Sequence, residues 1–131
     1  MAADLAHGRI FSGCDNKMIA VTDMKTGKIV GQFPIGEGVD ANRFDSATGL
    51  IFSSNGESGT LTIAHADSPS KFTVLENVPT AEGARTMELD PKSHRVYVVT
   101  ADRTPGTPTA DNLHPRPVPV PGSFRLMVLG R

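Results

Sequence analysis

Asp45-Ser46-Ala47-Thr48-Gly49-Leu50-Ile51-Phe52-Ser53 recurs in two looser copies, at residues 4–12 and 90–98, so that the copies start 41 and then 45 positions apart. Each copy is an acidic turn that runs into an apolar strand: Gly8-Arg9-Ile10-Phe11, Gly49-Leu50-Ile51-Phe52, His94-Arg95-Val96-Tyr97. The echo extends upstream, because Gly38 stands seven residues before Asp45 and Gly83 seven before Asp90. A repeat of this length is the size of one four-stranded antiparallel propeller blade, and the turn-strand rhythm within it is not that of a helical hairpin.

Composition agrees. The chain has 131 residues, enough for one domain, and its 13 glycines and 10 prolines punctuate short runs of Val, Ile, Thr and Phe. No stretch reads as a long amphipathic helix. The formal net charge is −1, with acids and bases mixed along the chain, so there is no basic stripe and nucleic acid is not an expected partner. A single cysteine, Cys14, excludes an internal disulfide; it falls in a predicted turn and is read as inert. No apolar run approaches the roughly 20 residues of a membrane helix, and Met1-Ala2-Ala3-Asp4 is too polar to open a signal peptide. The expectation is a soluble chain with no membrane contact and an unassigned compartment.

Labelling the strands of each blade a to d from the channel outward, the first blade (1–38) has b at 9–12, c at 18–22 and d at 29–34. The second (39–83) is complete, with a at 40–44, b at 50–53, c at 60–64 and d at 72–78. The third (84–131) has a at 85–89, b at 95–100 and c at 124–129, interrupted by a proline-rich insertion at 101–121. The predicted fold class is therefore all-β: a half propeller of about ten antiparallel strands that lacks a first strand a and a last strand d. Unpaired edges template pairing with another chain, and repeat units need neighbours to bury their faces. A homo-oligomer, most simply a dimer, is expected, unless the chain is part of a larger propeller.

The unit Asp-x-x-x-Gly-x-Ile-Phe-Ser, then a strand ending Val-Thr-Asp, then Thr-Gly-Lys-Ile-Val resembles the YVTN repeat of lactonase-type and related seven-bladed propellers. Ile19-Ala20-Val21-Thr22-Asp23 and Thr26-Gly27-Lys28-Ile29-Val30 carry the likeness most clearly. The resemblance implies a propeller fold. It also implies a lactone, such as an acyl homoserine lactone, as a substrate class; related propellers include quorum-quenching hydrolases and proteins with no known catalysis, and are often exported.

In a blade of this kind the d-to-a and b-to-c loops share the face around the channel mouth, where ligands bind. The two d-to-a loops, Ile35-Gly36-Glu37-Gly38-Val39-Asp40 and Thr80-Ala81-Glu82-Gly83-Ala84-Arg85, place Glu37 opposite Glu82 and Asp40 opposite Arg85 in register. Solvated turn charges are one reading of these residues. The other is an acidic funnel, in which Glu37, Asp40, Glu82 and Asn42 supply the hard oxygen ligands that a divalent ion, Ca²⁺ first, prefers. Asn55-Gly56 is a hairpin signal, whereas Glu57 is not demanded by the turn and is a candidate ligand or base. His114, in the proline-rich insertion, is a candidate proton acceptor near neutral pH, and the insertion itself a candidate lid or clasp.

Other motifs fail on context. Gly36-Glu37-Gly38-Val39-Asp40-Ala41 matches a dinucleotide fingerprint, but a turn and a strand follow it in place of a helix. Gly56-Glu57-Ser58-Gly59 is one residue short of a nucleophile elbow. His7, His65 and His94 fall on turns of the opposite face, too scattered for zinc. Two functions remain. The first is a metal-assisted lactone hydrolase in which the ion activates water, Glu57 or His114 takes its proton and Arg85 stabilises the oxyanion. The second is a non-catalytic module that binds a protein or small ligand on the same loop face. They differ in whether the charged loop residues converge or splay.

Overall fold

The computed structural model describes residues 1–130. These contain no helix; they form thirteen strands in four antiparallel sheets. Sheet one is β1 (Ala2–Asp4), β2 (Arg9–Cys14), β3 (Met18–Asp23) and β4 (Ile29–Pro34), in that order. Sheet two repeats the pattern with β5 (Val39–Asp45), β6 (Leu50–Asn55), β7 (Thr60–Ser68) and β8 (Lys71–Pro79). β9 (Arg85–Asp90) and β10 (Arg95–Thr100) are joined by β13 (Arg125–Leu129) as a third sheet, and β11 (Arg103–Thr104) pairs β12 (Val118–Pro119).

Three expectations change. Sheet one does have an inner strand, because Ala2, Ala3 and Asp4 pair with Phe11, Ile10 and Arg9. Cys14 ends β2 and pairs with Met18, so it lies on a strand and not in a turn. The 101–121 insertion is not wholly without structure: it contains the β11–β12 ladder and a Thr109–Asn112 bridge. Sheet three has three strands among the described residues.

The recurring aspartate builds the turn that starts each unit. Asp45 accepts from the Ala47 amide at 3.1 Å and from the Thr48 hydroxyl at 2.8 Å, while Gly49 N donates to the Asp45 carbonyl at 2.8 Å. Asp90 repeats this with Lys92 N (3.0 Å), Ser93 Oγ (2.6 Å) and His94 N (2.9 Å). The residue that closes the turn takes a left-handed backbone, with φ of 63° at Gly8, 71° at Gly49 and 57° at His94. Glycine suits that position because it has no Cβ to clash with the following carbonyl. Asp23 serves the β3–β4 turn in the same way, so its carboxyl is held below its ordinary range by bonds from Thr26, with Arg9 and Lys25 adding to them.

The sheets stack in chain order: β1 and β2 lie against β5, β4 against β8, and β9 against β5 and β6. Two cores result. Phe11, Ile19, Val21, Phe33, Ile35, Ile51 and Ala64 fill the first, between sheets one and two. Phe52, Leu61, Ala84, Met87, Leu89, Val96 and Val98 fill the second, between sheets two and three. Because side chains alternate across a strand, Ile51 and Phe52 of β6 enter opposite cores. Sheet two is thus buried on both faces.

Candidate ligand-binding groove

The loop end of the stack is stitched by backbone hydrogen bonds. Gly56 N donates to Gly38 O (2.8 Å), Glu57 N to Glu37 O (3.2 Å), Gly83 N to Gly56 O (2.7 Å) and Thr80 N to Gly59 O (2.7 Å). The 35–38 link, the 56–59 turn and the 80–83 link therefore lie side by side. Gly38 has φ of 71°, and a Cβ there would meet the Glu57 Cβ and amide at 2.8 Å, so only glycine allows this approach.

Of the candidate residues on and beside these loops, Glu37, Asp40 and Asn42 each have a partner of their own. Glu37 is exposed and pairs with Lys17 Nζ at 3.1 Å. Asp40, exposed on β5, accepts from Thr86 N at 2.8 Å and so ties sheet two to sheet three. Asn42 is 2% exposed. With its amide oriented so that both ends are satisfied, its oxygen accepts from Gly13 N (3.1 Å) and its nitrogen donates to Ser53 Oγ (2.9 Å), which makes it a strut between sheets one and two. Glu57, Glu82 and Arg85 are exposed, and the Glu82 carbonyl, not its carboxylate, takes the Thr100 hydroxyl at 3.4 Å. His114 is exposed in the insertion. Among the described residues no three His, Cys, Asp or Glu side chains gather as ligands of one metal ion. The structure brings the loops themselves together.

What it does assemble at that end is an uncharged, largely apolar groove of about 310 Å³ with a few polar groups, between the Pro34-Ile35-Gly36 segment and Ser58, Thr60, Val74 and Asn77. Ser58 Oγ accepts from Glu37 N at 3.1 Å and lies 2.9 Å from Thr60 Oγ1. Behind them Asn55 Nδ2 reaches Thr60 Oγ1 (3.2 Å) and Thr62 Oγ1 (2.9 Å), and Thr62 donates to Asn77 Oδ1 at 2.6 Å. Asn77 is exposed and spends its oxygen in this chain, which leaves both its amide hydrogens for a ligand. Each hydroxyl on the wall also retains one unused hydrogen-bonding position. At Gly36 a Cβ would meet Thr60 Oγ1 at 2.6 Å and Asn55 Cβ at 2.8 Å, so the bare glycine opens the groove.

None of Ser58, Thr60, Thr62 or Asn77 figured as a candidate in the sequence. The signal was there: Ser53 and Asn55 on β6, with Thr60 and Thr62 on β7, put polar residues at every second position of strands that are otherwise buried. One polar face on a buried strand implies a network.

A second cleft, of about 320 Å³, opens at the Asp-turn end over Phe11, Phe44 and Phe72. Its rim is already paired within the protein. Asp4 bonds His7 Nδ1 (2.7 Å), Arg9 bonds Asp23 and Pro69 O (both 2.6 Å), and Asp67 bonds His65 Nδ1 (2.8 Å) and Thr73 Oγ1 (2.6 Å). Asp67 is accordingly held below the usual carboxylate range, by Thr73 first and His65 next. The aromatic floor packs edge to face, Phe11 on Phe72 at 5.9 Å and 84°, as a core does.

No protein-family model matches the sequence, and no curated protein matches it.

Proposed function

We propose that the three large sheets are successive β-propeller blades of the YVTN type, and that the chain is a binding module that takes a neutral, hydroxyl- or amide-bearing small ligand at its loop end. The observation that carries this reading is the groove wall, where Ser58, Thr60 and Asn77 retain hydrogen-bonding capacity beside the apolar Pro34, Ile35 and Val74. A small number of placed polar groups on an apolar wall is the composition of small-molecule sites. The hydrolase reading asks more of the loops. Its ligands would have to converge, yet Glu37 is paired with Lys17, Asp40 with an amide of the next sheet, and Asn42 is a buried strut.

The test is a titration of the labelled chain with N-acetylglucosamine and cellobiose, followed by amide chemical shifts. Saturable shifts should centre on Ser58, Thr60 and Asn77 and vanish in a Ser58→Ala, Asn77→Ala double variant that stays folded. A parallel assay follows ring opening of acyl homoserine lactones with Ca²⁺ and with chelator. Shifts that miss the groove would defeat the binding reading; chelator-sensitive ring opening would reinstate the hydrolase.

A further inference from the structure

A chain of hydrogen bonds runs behind the groove in one direction, and it starts on another sheet. The Gly13 amide of β2 can only donate, and the Asn42 oxygen accepts from it at 3.1 Å. That leaves the Asn42 nitrogen to donate to Ser53 Oγ at 2.9 Å. Ser53 gives its hydroxyl hydrogen to Asn55 Oδ1 (3.2 Å), so Asn55 turns its nitrogen toward the groove. Both hydrogens of that nitrogen are spent, one on Thr62 Oγ1 (2.9 Å) and one on Thr60 Oγ1 (3.2 Å). Thr62 also accepts from Gly36 N at 3.4 Å, and its own hydrogen goes to Asn77 Oδ1 at 2.6 Å. Thr62 is thereby saturated. Asn77 ends the chain with its oxygen turned inward and both amide hydrogens left over.

The two remaining hydroxyls can be counted in the same way. Ser58 Oγ accepts from Glu37 N (3.1 Å), and Thr60 Oγ1 accepts from Asn55. The two oxygens, 2.9 Å apart, share one hydrogen bond in which either can donate. If Thr60 donates, Ser58 has accepted twice and keeps its hydrogen, while Thr60 keeps one acceptor position. If Ser58 donates, the roles exchange. In both arrangements the pair offers a ligand one donor and one acceptor. With Asn77 added, the side chains of the wall present three donors against that single hydroxyl acceptor. A ligand hydroxyl that accepts from Asn77 brings a hydrogen that competes for this acceptor, whereas a carbonyl oxygen brings none.

We infer that the group recognised in this groove is a secondary amide. Its carbonyl oxygen takes the Asn77 amide hydrogens, its N–H donates to whichever of Ser58 and Thr60 is accepting, and its acyl group lies on Ile35 and Val74. The spacing suits this. Asn77 is paired with Thr62, and Thr60 stands two residues further along β7, so Asn77 and Thr60 are diagonal neighbours about 7 Å apart. A trans amide bridges such a span, because its carbonyl and its N–H point to opposite sides. The inference rests on the reading of the groove as a small-ligand site and names the chemistry of that ligand. An acetamido sugar and a short acylated peptide both carry the group.

The experiment titrates the labelled 131-residue chain with N-acetylglucosamine, with N-acetylalanine N-methylamide and with glucose, and follows amide shifts at Ser58, Thr60 and Asn77. At least one of the two amides should bind at least about 10-fold tighter than glucose, and the tighter of them tells sugar from peptide. Asn77→Asp keeps the shape and the acceptor for Thr62 but replaces the outward donors with a carboxylate oxygen. With its β circular dichroism unchanged, that variant should bind the amide at least about 10-fold more weakly. Glucose bound at the groove as tightly as the better amide overturns the inference and leaves the small-ligand reading standing. So does an Asn77→Asp chain that binds the amide as the native chain does. Groove shifts with none of the three probes remove both.

Discussion

Replacing His94 by glycine sets two effects of opposite sign against each other. His94 closes the third Asp turn with φ of 57°, at the position where the first two units have Gly8 and Gly49. Relief of a left-handed backbone at a non-glycine residue is worth about 1 kcal/mol. Against this, His94 Nδ1 lies 2.6 Å from Oδ2 of Asp45, a carboxylate only 2% exposed, and this bond ties sheet three to sheet two. A hydrogen bond to a charged group is worth about 2 kcal/mol. His94→Gly should therefore destabilise the native chain by about 1 kcal/mol at pH 7, or about 4 °C in Tm. In an Asp45→Asn background the tie is weakened while the backbone relief remains, so the same substitution should become neutral or slightly stabilising, a coupling of about 1–2 kcal/mol. Burial pushes the Asp45 carboxyl up, but bonds from Thr48, His94 and Ala47 outweigh it and hold it below the usual carboxylate range. The folded-state pKa is thus depressed, so the stabilisation is complete above the unfolded value of about 4 and is lost as pH falls through the folded value. The gap between native and His94→Gly should narrow in that acid window. Urea unfolding at fixed protein concentration measures all of this. A His94→Gly chain more stable than native at pH 7, or equal penalties in both backgrounds, would refute the reasoning.

Gly38→Ala should cost about 2 kcal/mol in urea unfolding, because its φ of 71° and the Glu57 Cβ at 2.8 Å both exclude a side chain. Leu61→Ala, at 1% exposure, should cost about 3 kcal/mol by the same measurement, whereas Leu75→Ala, at 58%, should stay within about 0.5 kcal/mol. The Arg43–Glu88 pair (2.8 Å) draws the Glu88 carboxyl down to about 2, chiefly through the hydrogen bond from Arg43. Glu88 is mostly exposed, so Glu88→Gln should cost under about 1 kcal/mol, less at high salt. That cost should persist above the ordinary glutamate range and fade as pH falls toward 2.

The sequence reveals what is decided locally. An Asp whose carboxylate caps the next two or three residues, followed by a residue that tolerates positive φ, is a short-range device, so it recurs visibly at Asp4, Asp45 and Asp90. The strands that follow show their alternation for the same reason, and 29–34 and 95–100 match β4 and β10 residue for residue. β1 escapes notice because three residues are too few to show a period; its pairing with β2 is what makes it a strand. The fate of the loop charges is equally non-local. Nothing near Glu37 in sequence announces Lys17, and nothing near Asp40 announces the Thr86 amide. The repetition of Glu37 and Glu82 in register does not by itself say where each side chain finds its partner.

The two sheet-on-sheet interfaces also differ in a way that fixes their order. At the loop end the first carries Asn42, Ser53, Asn55 and Thr62, all buried and joined by hydrogen bonds. The second places Val98 and Met127 where the first has Ser53 and Thr62. Stripped of its partner Gly13 N, Asn42 would be a buried amide short of a hydrogen bond, a cost of about 1–3 kcal/mol. Sheet three offers no such cost or reward, since its corresponding positions are aliphatic. The Asn42 bond to Gly13 N therefore favours sheet one on this side of sheet two, because a neighbour without that donor would leave the buried amide short of a partner. The groove wall of Ser58, Thr60 and Asn77 is the solvent-facing edge of the buried polar cluster. The hydrogen bonds within sheet two that link Asn55, Thr60, Thr62 and Asn77 hold the groove's donors and acceptors in place before any ligand arrives, and such pre-organisation lowers the entropy cost of binding.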